Sequence, residues 1–286
     1  MDKLRSKSAL QSNTSIYRII RILLFGYLSV TVLAYLLSDR LIFQPPPSSY
    51  QDSPQIIKIP TPDGTMISAI HLAHPNPTMG LLYSHGNSED MGDIRPLLDA
   101  WAAHGFSVFA YDYSGYGTSE GKPSESQVYQ DIQTAYTYML DELGIAPQKI
   151  IALGRSLGCG PTIQLATTHA VGGLILESPF ISAFRVATKV PLIALDKFRN
   201  AAKIQQLHCP VLVIHGEKDE IIPLWHGQTV FEKANEPKLC LWVNGAGHFD
   251  LMRKAGPQYW DMVAKFLAVV ELHPADEKTR RATGLD

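Results

Sequence analysis

The sequence predicts an α/β fold with a mostly parallel sheet of eight strands and helices on both faces. From residue 55 onward, short apolar runs alternate with longer stretches of helical periodicity, which is typical of parallel strands joined by helices. The first two apolar runs flank an Asp-Gly pair, a strong marker of an antiparallel hairpin. A later apolar run ends in the pentapeptide GRSLG at 154–158, which is typical of a sharp strand-to-helix turn.

A long apolar segment follows a basic start at the N-terminus. The run ILLFGYLSVTVLAYLL at 22–37 contains no charge, and as a helix it nearly crosses a hydrocarbon layer of about 30 Å. Basic residues cluster before this run and only Arg40 closely follows it. The positive-inside rule therefore predicts a single-pass membrane anchor with a cytoplasmic N-terminus and the bulk of the chain on the other side. Two alternatives stay open: a signal sequence cleaved near 32–34, which would yield a secreted or periplasmic protein, and a helix packed on the domain.

The rest of the chain divides by composition. Residues 1–43 form the basic segment and anchor, 44–54 a Pro- and Ser-containing linker, 55–272 the main domain and 273–286 a polar tail. After the hairpin strands IIKIP and MISAIHLA, the predicted strands are GLLYSH, FSVFAYD, KIIALG, GGLILES, PVLVIHG and LCLWVNG. Helical patterns lie near 89–104, 125–143, 157–169, 226–234 and 257–271.

The connection at 180–208 is longer than the usual two to six residues between a strand and the next element. It contains one or two short helical patterns and several apolar side chains. We expect a small cap that contributes to an apolar substrate pocket; the alternative is an ordinary helix covering the sheet. The predicted pocket residues are Phe184, Val190, Leu192, Ile193 and Phe198.

Composition excludes several classes of partner and cofactor. The formal net charge of −2 and the lack of a long basic run exclude a general attraction to nucleic acid. The three cysteines show no C-x-x-C spacing, so neither a disulfide framework nor a zinc site is predicted. The histidines are scattered without a transition-metal pattern. We expect no metal and no organic cofactor.

The GRSLG turn is interpreted as a nucleophile elbow that presents Ser156. A serine hydroxyl needs a base within hydrogen-bond reach and a third group that orients the base. Asp219 follows a predicted parallel strand, and His248 follows the last strand. The order Ser156, Asp219, His248 is the order expected for neighbouring strands of such a sheet. Glu217 and Glu220 are alternatives to Asp219 as the orienting acid.

Stabilising the oxyanion of a tetrahedral intermediate requires backbone N–H donors. We expect one from Leu157, at the start of the helix after the elbow, and a second from Asn87 in the loop SHGNSED after the third strand. His85 in the same loop is interpreted as structural. Gly154 and Gly158 are expected where the turn brings backbone segments too close for side chains. Arg155 is either a partner of a carboxylate such as that of Glu177 or a surface residue.

These motifs together resemble a known family. SHGN, YDYSGYGTSEGKPSE, GRSLG, ESPF, HGEKDEIIP and GAGHFD are similar to the α/β-hydrolase fold superfamily over about residues 50–272. More narrowly, they resemble its membrane-associated α/β-hydrolase domain-containing group, which includes the Bem46-like proteins and types 13 and 17. The resemblance implies serine hydrolase chemistry on esters or thioesters and, for type 17, removal of palmitoyl groups from protein cysteines. That type has a lipidated, cysteine-rich N-terminus, whereas residues 1–40 here contain no cysteine, so the layout is closer to the Bem46-like and type 13 arrangement.

The sequence therefore predicts a membrane-anchored serine hydrolase that acts on a small-molecule or lipid-like ester or thioester with an apolar acyl part. Acyl transfer and peptide cleavage use the same three side chains and stay open as alternatives. A binding protein that keeps the fold without catalysis is the alternative from another class.

Overall fold

A computed structural model of the protein describes residues 2–188 and 196–273. In this part of the chain eight strands form one sheet in the order β1-β2-β4-β3-β5-β6-β7-β8. β1 pairs antiparallel with β2 and β2 antiparallel with β4, and every other pair is parallel. The predicted sheet and its antiparallel start are confirmed. The strands are β1 (Ile57–Pro60), β2 (Met66–Leu72), β3 (Met79–Ser84), β4 (Phe106–Tyr111), β5 (Ile150–Arg155), β6 (Gly173–Glu177), β7 (Val211–Gly216) and β8 (Lys238–Val243).

Nine α-helices accompany the strands in the described ranges. They are α1 (Asp2–Ile42), α2 (Arg95–Ala103), α3 (Glu125–Asp141), α4 (Cys159–Thr168), α5 (Ala183–Ala187), α6 (Asn200–Lys203), α7 (Trp225–Lys233), α8 (Leu251–Ala255) and α9 (Pro257–Leu272). The helix predicted from residue 89 begins only at Arg95. The Asp90 carboxylate accepts the N–H groups of Gly92 and Asp93, which holds that stretch in turns before the helix, whose first turn contains Pro96.

The sheet separates two apolar cores. One contains buried side chains of α3, α4 and α7 against one face, and the other contains those of α2, α8 and α9 against the opposite face. The central strands are buried along their whole length, as expected for parallel strands covered on both sides. This packing fixes the strand ends, and the loops that follow β3, β5, β7 and β8 meet at one edge.

The N-terminal helix is both apolar and attached to the domain. Within the described ranges, Tyr17–Ile42 is the one helix long and apolar enough to cross a membrane, with a mean hydropathy of 2.0 in its most apolar window. Its last turns lie on the domain: Ser38 is buried, and the Asp39 carboxylate is 2.6 Å from the Lys197 ammonium group. Phe43, just beyond the helix, belongs to the core. Most large apolar side chains earlier in the helix remain exposed.

The segment predicted as a linker, 44–54, also lies on the domain. Ser49 donates to Asp90 from its backbone N–H (2.7 Å) and its hydroxyl. The Tyr50 hydroxyl donates to the carboxylate of Asp112. Burial raises the pKa of Asp112 to about 7. These contacts connect the end of the apolar helix to the loops at the carboxyl edge of the sheet.

Candidate active site

The elbow after β5 has the strained geometry that the GRSLG motif predicts. Ser156 has a φ of 53°, in the left-handed region that a side chain rarely adopts. An ideal Cβ at Gly154 would lie 2.4 Å from the carbonyl oxygen of Gly158, and one at Gly158 would lie 2.1 Å from that of Ser84. Only glycine fits at both positions, so the backbone carries the serine on a turn too tight for side chains.

Three side chains from different loops form one hydrogen-bonded row. His248 Nε2 is 3.0 Å from Ser156 Oγ, and His248 Nδ1 is 2.8 Å from Asp219 Oδ2. All three residues are at least nine-tenths buried. An ionised carboxylate can only accept hydrogen bonds, so His248 Nδ1–H donates to Asp219, and Nε2 is left to accept from the serine hydroxyl. This is the arrangement in which a histidine can remove a proton from a serine.

The Asp219 carboxylate is held by several further donors. Oδ1 accepts the backbone N–H groups of Ile221 and Ile222 at 3.0 and 2.8 Å, and Oδ2 accepts the Ser178 hydroxyl at 2.8 Å. Burial alone would raise the pKa of Asp219, but hydrogen bonds from His215 and His248 dominate and hold it well below its usual range. The carboxylate is thus ionised and fixed in orientation.

The alternative acids do not reach the histidine. Glu217 and Glu220 are exposed on either side of Asp219. Asp250 accepts the backbone N–H of Gly247 at 2.8 Å and pairs with Arg253 at 2.7 Å. Of the four carboxylates near the two loops, the structure brings only that of Asp219 to His248.

The loop after β3 lies beside the serine and is braced by Glu89. Glu89 Oε1 accepts the backbone N–H of Gly86 at 2.7 Å, and Glu89 Oε2 accepts from Arg155 Nη1 at 2.9 Å. Arg155 is also 4.0 Å from Glu177, so it is a buried ion-pair residue and the surface alternative is wrong. Glu89 was not predicted from the sequence, because an acid four residues after a motif histidine carries no distinctive spacing.

Asn87 and His85 have separate structural contacts in this loop. The Asn87 side chain donates to the carbonyl of Ile42 at 2.7 Å and accepts from the Tyr116 hydroxyl at 2.7 Å. Any contact of Asn87 with a reacting group therefore falls to its backbone. His85 is fully buried, with Nδ1 at 2.7 Å from the Gly86 carbonyl, which agrees with a structural role.

A small cavity opens above Ser156. The described residues enclose about 120 Å³ there. Its walls come from the β3 loop, the elbow and the loops after β7 and β8: Gly86, Asn87, Ser88, Glu89, Arg155, Ser156, Ile221, His248 and Phe249. Leu157 is buried in the helical turn Ser156–Gly158 just behind the serine.

The predicted apolar pocket is not assembled by the described cap residues. Phe198 is fully buried in the core, where its ring packs against Gly160 and Phe43, so its interpretation as a pocket residue is wrong. Phe184, in α5, is half-buried and does not line the cavity above Ser156. The other three predicted pocket residues, Val190, Leu192 and Ile193, lie outside the described residues.

The amino-acid sequence is similar to those of known hydrolase-family proteins. A family model described as Hydrolase_4, "Serine aminopeptidase, S33", matches residues 75–203. The human α/β-hydrolase domain-containing protein 17B is 36% identical over 226 residues, which cover 77% of each chain. Its Xenopus tropicalis counterpart is 40% identical over 197 residues, 68% of this chain and 67% of that one.

The solved structures show the same fold. The esterase Pf2001 of Pyrococcus furiosus superposes with a TM-score of 0.65 at 19% identity, covering 79% of this chain and 98% of the esterase. An esterase of Rhodococcus, RhEst1, gives a TM-score of 0.60 at 18% identity, covering 76% and 99%. At these identities the similarity shows a shared fold and nothing more. The predicted α/β-hydrolase fold is confirmed.

Proposed function

We propose that this chain, which belongs to the α/β-hydrolase domain-containing protein 17 family, is a serine hydrolase that cleaves carboxylic esters or thioesters through an acyl-enzyme. The single observation that carries the proposal is the row Ser156–His248–Asp219, with links of 3.0 and 2.8 Å, on the floor of a cavity. A hydroxyl, a base and an orienting carboxylate in this geometry are the requirements of covalent acyl transfer.

In the proposed reaction, Ser156 Oγ attacks the carbonyl carbon while its proton passes to His248 Nε2. Asp219 stabilises the imidazolium that forms. The tetrahedral intermediate collapses when the bond to the alcohol or thiol breaks and His248 gives its proton to that leaving group. Water then attacks the acyl-enzyme, its proton passes to His248, and the carboxylic acid leaves as Ser156 regains a proton.

The negative oxygen of both intermediates requires fixed donors. We assign this role to the backbone N–H groups of Leu157 and Asn87. Leu157 follows the strained serine in the helical turn that precedes α4. The first backbone N–H groups of a helix have no acceptor within the helix, so they can donate to a negative oxygen. The bond between Glu89 and the Gly86 N–H holds the loop that carries Asn87.

The same proposal includes attachment to a membrane through the apolar N-terminal helix. The apolar run continues past 32–34 to residue 37, which favours a retained helix over a signal sequence cleaved there. The last turns of that helix, with Ser38 buried and Asp39 paired with Lys197, attach it to the domain. The basic residues before the apolar run favour a single pass with the N-terminus in the cytoplasm and the hydrolase domain on the other side. Protease protection of the intact chain in sealed vesicles, read with tags at each end, tests that topology.

Hydrolysis of p-nitrophenyl esters by the full chain and by Ser156→Ala tests the chemistry. We expect the substitution to lower kcat/KM by at least about 10³-fold, because the nucleophile is lost and only binding and oxyanion contacts remain. Circular dichroism of the variant serves as the folding control. A folded Ser156→Ala variant with wild-type activity would overturn the proposal.

Peptide cleavage is the second candidate, and the match to the serine aminopeptidase family model over 75–203 favours it. Amide and ester hydrolysis share the same side chains. Aminoacyl p-nitroanilides assayed beside the esters distinguish the two, since an aminopeptidase hydrolyses the anilides with the higher kcat/KM.

A further inference from the structure

The described part of the chain exposes few large apolar side chains outside α1. They are Ile221, Phe249 and Leu272, which are 48%, 64% and 76% exposed. A single exposed apolar side chain is ordinary on a protein surface. Two of these three, Ile221 and Phe249, line the cavity above Ser156, and they come from different loops, after β7 and β8. Two exposed apolar side chains from separate loops at one cavity, beside a reactive side chain, form a candidate interaction surface.

The positions of Ile221 and Phe249 are fixed by the catalytic row. The backbone N–H of Ile221 donates to Asp219 at 3.0 Å. Phe249 follows His248 directly, and the Arg155 guanidinium lies 5.8 Å from the centre of its ring. The backbone of each residue is thus held next to Asp219 or His248, whereas its side chain is exposed. We call Ile221 and Phe249 the apolar rim.

Another part of the cavity wall adjoins the apolar helix. Asn87, a lining residue, donates to the carbonyl of Ile42, the last residue of α1, at 2.7 Å and accepts the Gln44 N–H at 3.3 Å. Close to that end, Leu37 and Leu41 are 40% and 62% exposed. The cavity is thus lined both by the apolar rim and by a residue bonded to the end of an apolar helix, so a lipid surface that holds the helix has the cavity and its rim as neighbours.

The size of the cavity adds a second constraint. The described residues enclose about 120 Å³, less than the roughly 300 Å³ at which pockets for whole small-molecule ligands begin. A long acyl chain therefore extends beyond the described walls, and Phe249 and Ile221 offer apolar contacts where it leaves them.

We infer that the apolar rim lies against the surface of a phospholipid bilayer and that the Ser156 cavity takes long-chain acyl esters directly from that bilayer. This inference rests on the proposed function for its chemistry. The two rim side chains enter the boundary between headgroups and acyl chains, as apolar side chains of interfacial proteins do, and α1 keeps the cavity at that depth.

The test uses the full chain in phosphatidylcholine vesicles. Hydrolysis is measured on 4-methylumbelliferyl palmitate incorporated in the bilayer and on 4-methylumbelliferyl acetate in water. The double variant Ile221→Ser/Phe249→Ser is expected to lower the palmitate-to-acetate ratio of kcat/KM about tenfold. Leu272→Ser is the control, because Leu272 is also apolar and is more exposed than either rim residue but does not line the cavity, and it is expected to leave the ratio unchanged.

A second readout does not depend on activity. The fluorescence of Phe249→Trp and Leu272→Trp, corrected for the wild-type tryptophans, is compared in vesicles with and without brominated lipids. We expect strong quenching of the first variant and little quenching of the second. An unchanged ratio together with equal quenching overturns the inference, as does a dimer of the wild type that the double variant dissociates. Quenching of Phe249→Trp in a protein that hydrolyses neither ester would support the rim and reject the proposed function.

Discussion

The loops at the carboxyl ends of the strands and the long connection at 180–208 are positioned by different constraints. At the sheet edge, Ser156, Asp219 and His248 lie within hydrogen-bond distance although they are far apart in sequence. In the cap segment, 180–208, Phe198 lies in the core instead of the predicted pocket. Strand register determines where a residue at a strand end lies, whereas a residue in a long connection takes whichever apolar site fits it. The sequence therefore predicted correctly which residues meet at the carboxyl ends of the strands, but it did not predict where the apolar residue of the cap segment lies.

The largest effect is expected at the sheet edge, from Asp219→Asn. An amide cannot take the place of the ionised carboxylate toward His248, so the imidazole loses both its tautomer and the charge that stabilises its protonated form. We expect kcat for ester hydrolysis to fall about 10⁴-fold. Glu220→Gln, which removes an exposed neighbouring carboxylate, is the control and should stay near wild type. Equal losses in the two variants would contradict the assignment of Asp219.

Phe198→Ala tests whether this residue of the cap segment contributes to stability or to substrate binding. Removing a fully buried ring that packs against Gly160 should lower the free energy of unfolding by about 3–5 kcal/mol. The folded fraction should keep its kcat/KM, since the ring does not line the cavity. Urea unfolding and ester kinetics on the same samples check both parts, with Phe184→Ala as the half-buried control. A variant of wild-type stability with altered acyl-chain preference would restore Phe198 to a substrate pocket.

Glu89→Gln is expected to lower activity less than Asp219→Asn, because Glu89 holds the loop beside Ser156 and does not contact His248. The carboxylate bridges the Gly86 N–H and the Arg155 guanidinium, and an amide has one acceptor oxygen instead of two and no negative charge opposite Arg155. The loop that carries the proposed Asn87 donor should become less well ordered. We expect kcat to fall roughly 10- to 100-fold, less than or similar to the loss of one oxyanion donor, with little change in KM. A raised KM at constant kcat would instead place Glu89 in substrate binding.

Sequence reasoning predicted the sheet well for identifiable reasons. Buried parallel strands are continuous apolar runs, and the elbow needs glycine at 154 and 158 because no Cβ fits there. The order of strand-end residues then indicated Ser156, Asp219 and His248 as neighbours.

The features that sequence reasoning missed depend on three-dimensional packing. Glu89 has its role because the β3 loop folds back onto Arg155. Phe198 has a φ of 49°, and its ring packs onto Gly160, a contact between segments far apart in sequence. Phe249 and Ile221 are exposed because no other segment packs over them in the described residues. Sequence periodicity gives no information about such a lack of packing.

Labelling of the full chain with a fluorophosphonate probe, followed by mass spectrometry of the modified peptide, tests the central claim most directly. Such a probe forms a covalent bond only with a serine whose proton is removed by a positioned base. The account predicts modification at Ser156, abolished in Ser156→Ala and strongly slowed in His248→Ala while both variants remain folded. A folded wild-type protein that is not labelled, or is labelled at another serine, would contradict it.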